Sequence, residues 1–404
     1  MKRSYEPGNK QELFEQSLAL LEIADRDQRV LIIQRAQELY NEECFYIMQS
    51  IPNEIWRTVF LYCNEIKEDT LFCLACVCTG WTTIIDELVR HLFADNVKSD
   101  RVISRFTELT TLTLFGNRLV TNQSLSKLTN LHTLDLSYTE KVTGDVLKSL
   151  PNLTDLTLYE KSPITNVYLT TLTGLTALNL TGNKAITGGV FKKLTKLKKL
   201  NLSGNVLITE GSVKCLSRTL TELTLRGVSK ITDDTVKLMK KLRVLCLEYN
   251  SSISDYGIMN LSRLKELNLS NLSRVSDRGL VHMKDMERLT LTNNNTITDN
   301  GIMFMTKMQY LNLSCTKMVT NKGIENMTNL ERLDLYSNKN ITNEGITHLT
   351  NLTILDISQG SLINLDAIWC LPRLKALHTY DLIRIPKEEL DQFSLLTGCV
   401  VKKK

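Results

Sequence analysis

Apolar residues recur along most of this chain with a period of 22. A phrase of the general form Leu-x-x-Leu-x-Leu appears thirteen times, its leading apolar residue at positions 109, 131, 153, 175, 197, 220, 242, 264, 286, 308, 330, 352 and 374. Eleven of the twelve spacings are 22 and one is 23, the insertion falling near residues 217–219. Counting each leading residue as zero, position +11 is β-branched in all twelve complete units, from Val120 to Ile363, and +16 is always apolar. Position +19 is always Leu or Met, from Leu128 to Leu371. Position +12 is Thr or Ser in eleven of twelve, as in Thr143, Thr232 and Ser276, where a hydroxyl can accept an N–H bond and cap a helix start. Each unit is predicted to be a short strand at Leu-x-Leu, a turn, and a capped helix of about two turns.

One unit cannot fold alone. Six apolar ladder positions contribute roughly 9 to 18 kcal/mol, against about 33 kcal/mol of ordering entropy for 22 residues. Stacked units merge their ladders into one core, with strands and helices on opposite faces. The pattern resembles the leucine-rich-repeat family, whose strand phrase ends in Asn at +8, as in Asn117, Asn183, Asn205, Asn250, Asn294 and Asn338. In that family the Asn bonds to turn backbone, so the units with Thr139, Lys161, Val228, Leu272, Thr316 and Gly360 are expected to turn less regularly. The phrase Ile-Thr-Asp/Asn-x-Gly-Ile, at Ile297 to Ile302 and Ile341 to Ile346, is similar to the repeats that follow an F-box.

Upstream, the chain reads Ile51-Pro-Asn-Glu-Ile-Trp-Arg-Thr-Val-Phe60 and then Leu74-Ala-Cys-Val-Cys-Thr-Gly-Trp81. Pro52 can open a helix, because the N–H it lacks would be unpaired in the first turn. Ile55, Val59 and Phe60 form one apolar face, and Leu71, Leu74, Val77, Trp81 and Ile84 continue a three- or four-residue spacing. Residues 51 to 93 are similar to the F-box, which implies adaptor contact through Ile51, Pro52, Ile55, Val59, Phe60, Leu74, Val77 and Trp81. Residues 10 to 50, with Leu13, Leu18, Leu21, Leu31 and Leu39 in amphipathic spacing, are expected to be helical and either to pack on the F-box-like helices or to form a second interaction arm. A helical segment of about 45 residues is marginal alone and could bury its remaining apolar face against another chain.

The resemblances together imply an α/β leucine-rich-repeat solenoid, a horseshoe of about 13 units, preceded by an α-helical F-box-like domain. The expected divisions are 1–50 (helical extension), 51–108 (F-box-like domain and link), 109–380 (solenoid) and 381–404 (cap and basic tail). Charge supports a boundary near residues 100 to 108. Residues 1 to 108 carry 12 Lys and Arg against 18 Asp and Glu, a net of −6, which leaves 37 against 26, a net of +11, for the remainder. The pattern decays after Leu377, where Ile385-Pro-Lys-Glu-Glu-Leu390 resembles a capping helix opened by proline and Lys402 to Lys404 read as a disordered tail.

With 42% hydrophobic and 23% charged residues the composition is that of a folded chain. The most apolar stretch, Leu71 to Ile85, is interrupted by Thr79, Gly80, Thr82 and Thr83 and falls short of the roughly 20 residues a spanning helix needs, so no membrane contact is expected. The first residues lead into acidic and amide residues rather than an apolar core, so no secretory leader is expected. Ten scattered cysteines read as thiols. An oxidising secretory route would also place glycans on predicted strands at Asn201-Leu-Ser, Asn268-Leu-Ser and Asn312-Leu-Ser, so cytoplasm or nucleus is expected.

Catalytic and metal chemistry find little support. Cys73-x-x-Cys76-x-Cys78 has no second Cys or His pair nearby at finger spacing and lies within the F-box-like pattern, where its thiols read as small core or contact residues. The five histidines are isolated, and no nucleophile elbow, phosphate loop or His-Glu-x-x-His occurs, so no enzyme activity, cofactor or metal is expected. Strand alternation places +3 and +5 in the core and +2, +4 and +6 on the concave face. Those positions hold Asp135, Asp155, Glu222, Glu248, Glu266, Asp334 and Asp356 against Lys199, Arg226, Arg288 and Arg332. This mixture lacks the basic track that a nucleic acid requires. Phe115, Tyr159, Arg226, Glu248, Arg288, Tyr310, Arg332 and Tyr336 are the predicted partner-binding residues, centred on Arg288, Tyr310, Arg332 and Tyr336, because Tyr and Arg tend to carry protein interfaces. The resemblance implies the substrate-recognition subunit of a cullin–RING (SCF-type) ubiquitin ligase, with a Skp-type adaptor, a cullin and a protein substrate as partners. The residues alone leave open a repeat scaffold with no ubiquitin role, its N-terminal helices serving as a cap.

Overall fold

The computed structural model describes residues 89–94 and 99–403 apart from 272, 273 and 383. The helical extension, the F-box-like helices with Ile51, Pro52, Ile55, Val59, Phe60, Leu74, Val77 and Trp81, and the cysteines at 63, 73, 76 and 78 lie outside the described residues. The chain divides into two compact units, one of residues 94–104 and 110–404, the other of residues 1–93 and 105–109. In the latter, the described residues include the strand His91–Phe93, with Leu92 buried.

The larger unit is built from three-residue strands, from Thr111–Thr113 to Val400–Lys402, paired in parallel in chain order. Register follows from the period. Leu289 stands between Leu267 and Leu311, so equivalent positions form continuous rows, and the single insertion is absorbed with Leu200 still opposite Leu223. The apolar rows make the core: Leu330, Leu333, Leu335, Ile341, Ile346 and Leu349 of one unit are each at most 1% exposed. Asn201, Asn268 and Asn312 lie on strands as predicted.

The helices are shorter than predicted, as in Asn122–Leu125 and Asp299–Ile302, four residues each. The reason is the spacing of the apolar positions. Residues +16, +19 and the next leading residue are three apart, and tight three-residue turns bring them to one side: Leu349 N–H donates to Ile346 O (2.9 Å) and Leu352 N–H to Leu349 O (3.0 Å).

Position +7 is where the chain leaves the strand. It takes a left-handed conformation in Gly116, Gly182, Gly204 and Gly227, and also in Tyr138, Tyr249, Asn293 and Cys315, whose φ values lie between 52° and 57°. At most of these turns, Tyr138 excepted, the +7 N–H donates to the next strand's +6 carbonyl, as in Asn293 to Ser314 and Cys315 to Tyr336, both 2.9 Å. The gained ladder bond offsets a backbone preference of roughly 1–2 kcal/mol against non-glycine residues.

Position +8 then closes the turn. Asn250, 1% exposed, donates to Leu225 O (3.1 Å) and Val228 O (2.7 Å) of the preceding unit and accepts from Ser252 N (2.9 Å) and Ile253 N (3.0 Å) of its own. Asn183, Asn205, Asn294 and Asn338 repeat the arrangement. Where Asn is missing, substitutes appear: Thr139 and Thr316 hydroxyls donate back to Leu136 O and Leu313 O, and Ser162 and Ser361 at +9 accept from Ile164 N and Ile363 N.

The +12 hydroxyls have a different principal role from the predicted one. Only Thr121, Ser254, Thr298 and Asn364 accept a cap bond within their own helix. The recurrent bond runs between units: Asp255 Oδ1 accepts from Ser276 N (2.8 Å) and its Oδ2 from Ser276 Oγ (2.7 Å). Asp233, Asp277 and Asp299 clasp Ser254, Thr298 and Thr320 in the same way, and Asn321 clasps Thr342. Room for each carboxylate comes from the glycine at +15 of the next unit, since a Cβ on Gly279 would sit 2.5 Å from Asp255 Oδ1. Gly144 and Gly188 invert the arrangement. Glycine replaces the +13 acid there, the helix becomes 3-10, and larger residues, Tyr168 and Ser212, occupy the space.

Two expectations at the ends are corrected. Asp100 of the helix Asp100–Ile103 accepts from Thr121 N (2.8 Å) and Thr121 Oγ1 (2.6 Å), so the inter-unit clasp starts upstream of residue 109, inside the predicted link. At the other end, Pro386 does precede a helix, Lys387–Thr397, which stops at left-handed Gly398. Lys402, predicted to begin a disordered tail, instead ends the strand Val400–Lys402, paired with Ala376–His378, because Leu390 and Phe393 bury the cap helix and return the chain to the sheet.

Gly279→Ala is expected to lose about 1–3 kcal/mol in urea unfolding, as its methyl displaces the Asp255 clasp. Gly211→Ala, where a Cβ meets nothing within 4 Å, is expected to gain about 0.5–1 kcal/mol, and equal effects would refute the packing account. Burial pushes the Asp100 carboxyl up, but hydrogen bonds from Ser124 and Thr121 outweigh it and hold the group below its ordinary value of 3.8. Its contribution is therefore complete above the unfolded value and lost as pH falls through the lower, folded one. Asp100→Ala should melt below wild type at neutral pH, with the gap closing under acid.

Candidate protein-binding face

Strand alternation leaves +2, +4 and +6 on the outer face of the sheet, and the two inter-unit ladders hold the backbone beneath them in place. The predicted site residues fall into three groups along this face. Phe115 and Tyr159 meet with their ring centroids 6.4 Å apart, and Tyr138 packs against both at 5.2 and 6.3 Å, edge to face. Arg226 pairs with Glu248 through Nε and Oε2 (3.4 Å) and lies 5.5 Å over the Tyr249 ring.

The third group is the centre that the sequence predicts. Arg288, Tyr310 and Arg332 are register neighbours on three consecutive strands. The guanidiniums of Arg288 and Arg332 lie 4.6 and 5.4 Å from the centroid of the Tyr310 ring between them. Acids lock both arginines: Arg288 Nε is 3.4 Å from Glu266 Oε2, and Arg332 Nε donates to Asp334 Oδ1 at 3.0 Å. Tyr310 Oη donates to Asp334 Oδ2 (2.9 Å). Burial pushes the Tyr310 phenol up, and the Asp334 charge adds to this. The hydrogen bond to Asp334 likewise raises Arg332, so the guanidinium stays charged at any ordinary pH. Tyr336 stands exposed past the end of the same strand, and nothing in the structure joins it to the triad.

Sequence reasoning missed Tyr138 and Tyr249. Both lie at +7, outside the strand alternation, and only the left-handed turn swings them to the face. Six other non-glycine residues share that conformation among the described residues, so residue type alone carries no signal for it. The mixed charge does hold: Lys199 joins Glu222 at 2.8 Å, so each of the four bases on this face has an acid beside it. Among the described residues, no cluster of His, Cys, Asp and Glu could hold a metal ion, and no helix is long and apolar enough to cross a membrane. Cys215, Cys246, Cys315, Cys370 and Cys399 are free thiols.

Tyr310→Phe is expected to cost about 1 kcal/mol, the typical worth of one hydrogen bond. Ultraviolet pH titration should show the same variant losing a phenol that ionises above the ordinary tyrosine range; an unchanged titration curve would contradict the geometry.

The model of the family described as Leucine Rich repeat matches residues 193–217 and 326–347. No curated protein sequence matches. Among solved structures, the chain is similar to one from the complex of Rad7 and Elc1 in yeast, with 17% identity over 87% of this chain and 96% of that one and a TM-score of 0.51. It is similar to the TLR13–ssRNA13 complex at 20% identity, covering 78% of this chain and 55% of that one with a TM-score of 0.50. For the Toll–Spätzle complex of Drosophila the values are 19%, 75%, 48% and 0.50. At these identities the likeness is one of fold. Together with the 22-residue period and the buried Asn ladder, it makes the larger unit a stack of leucine-rich repeats.

Proposed function

We propose that this chain is a non-catalytic recognition subunit whose strand face holds a protein partner, and that residues 51 to 93 tie it to the Skp-type adaptor and cullin of an SCF-type ubiquitin ligase in the cytoplasm or nucleus. The observation that carries the first part is the Arg288–Tyr310–Arg332 layer. Rotamer-rich side chains that are already immobilised by Glu266 and Asp334 lose little freedom on binding, and Tyr and Arg dominate the energetics of many interfaces. The second part rests on the F-box-like sequence from Ile51 to Trp81. Rad7, solved in a complex with Elc1, supports reading a chain of this fold as one member of an assembly. In this role the chain performs no chemistry of its own; it raises the effective concentration of its bound partner beside the ligase's conjugating machinery.

The test is to express the full chain in eukaryotic cells and quantify co-purifying adaptor and cullin, beside an Ile51→Asp, Pro52→Ala variant whose fold is checked by circular dichroism. Recovery with the unaltered chain and loss with the folded variant are expected. If adaptor accompanies neither, the ligase part fails and a leucine-rich-repeat scaffold remains. Substituting Arg288, Tyr310 and Arg332 by Ala should leave adaptor recovery intact and deplete other co-purifying proteins; no depletion would overturn the assignment of the face.

A further inference from the structure

Once its bases are paired, the strand face keeps three acids: Asp135, Asp155 and Asp356. Two of them have local partners. Asp135 Oδ1 accepts from Ser137 N (2.8 Å), while Asp356 Oδ1 accepts from Ser358 N (2.9 Å) and its Oδ2 lies 3.9 Å from His378 Nδ1. Among the described residues the Asp155 side chain accepts no hydrogen bond, although it is half-buried. Burial pushes its carboxyl up, with the Lys199 charge opposing and the Asp135 charge adding to the rise.

Asp155 forms one wall of a cavity of about 330 Å³. The floor is Ala177, the register neighbour of Asp155 on one side and of Lys199 on the other. Strands lie about 4.8 Å apart, so the walls stand roughly 10 Å apart with only a methyl group between them, wide enough for one extended side chain. Lys199 does not close the gap, because its ammonium is held 2.8 Å from Glu222 Oε1 on the far side. Thr157, two residues along from Asp155, adds a hydroxyl to the lining. A half-buried carboxylate that accepts no hydrogen bond and feels only the more distant Lys199 charge keeps part of its desolvation cost, which an incoming cation offsets.

We infer that the cavity over Ala177 is a subsite for one basic side chain, lysine or arginine, of the protein partner, with Asp155 as its counter-ion. The methylene stem lies over Ala177 and the charged head meets Asp155 and Thr157. This deepens the protein-binding part of the proposed function and rests on it, while remaining independent of the ligase part.

The probes are Nα-acetyl-lysine methylamide, Nα-acetyl-arginine methylamide and the neutral Nα-acetyl-norleucine methylamide, titrated against the full chain by saturation-transfer NMR. The basic probes should bind saturably and the neutral one should not. Asp155→Asn, nearly isosteric, should weaken the basic probes about tenfold, the worth of one hydrogen bond to a charged group. Ala177→Leu should weaken the basic probes by occupying the floor between Asp155 and Lys199, while Asp356→Asn should match wild type. Absence of saturable binding to wild type, equal binding by Asp155→Asn, or equal binding of the norleucine probe would each overturn the proposal. Because the Asp155 and Ala177 variants confine the comparison to this cavity, such a failure leaves partner capture through Arg288, Tyr310 and Arg332 standing. Capture that is unchanged by substituting Arg288, Tyr310 and Arg332, with probe binding intact, would instead overturn the assignment of that layer.

Discussion

Each unit leaves its strand through a turn whose backbone N–H and C=O groups are covered by the neighbouring units and cut off from water. Those groups must find partners within the protein, since an unsatisfied buried donor or acceptor costs about 1–3 kcal/mol. Asn at +8 solves this with one side chain: its amide donates backwards to carbonyls of the preceding unit while its oxygen accepts two N–H groups of its own turn, as Asn250 does. Because the bond crosses from unit to unit, it ties neighbouring turns together in the register that the 22-residue period sets, a register kept also where Thr139 or Lys161 stands at +8.

A second ladder on the opposite side repeats the logic with charge. The carboxylates of Asp233, Asp255, Asp277 and Asp299 each hold the hydroxyl and N–H of the next unit, and glycines one unit on leave space for them. The two positions are coupled across units and not within one. Gly144 faces Tyr168 and Gly188 faces Ser212, so a small residue in one unit is answered by a larger one in the next. At the Asp–Gly joints an added Cβ would meet the carboxylate, whereas Ser124 and Thr235 at the same position offer hydroxyls to Asp100 and Glu210, so the two sides of each joint are matched and the Ile-Thr-Asp-x-Gly-Ile phrase recurs in runs of neighbouring units.

With the backbone held by both ladders, side chains at +2, +4 and +6 are free to vary, and recognition chemistry is concentrated there. The alternation rule correctly placed Arg288, Tyr310 and Arg332 on one face, because a period of two is a property of the strand itself. It could not show that both guanidiniums would stack on a single ring, nor that Glu266 and Asp334 would anchor them, because those contacts depend on register between units. Tyr138 and Tyr249 escaped it altogether. Their direction is set by the left-handed φ at which the chain leaves the strand, with the Tyr249 N–H also joined to Ser270 O of the next unit (3.2 Å).

Taken by itself, the sequence determined the period, the strand positions, the core rows and the need to stack, since each depends on spacing along one chain and on the entropy that a lone unit cannot overcome. What the polar residues do was set by how neighbouring units pack. The +12 hydroxyls read as helix caps became clasps for the preceding unit, helices expected to run two turns shrank to one, and Lys402, read as the start of a disordered tail, joined the sheet. Apolar burial is non-directional and therefore legible as a pattern, whereas a hydrogen bond needs its partner within about 3 Å at the right angle, and that partner is set by the packing of units 22 residues apart.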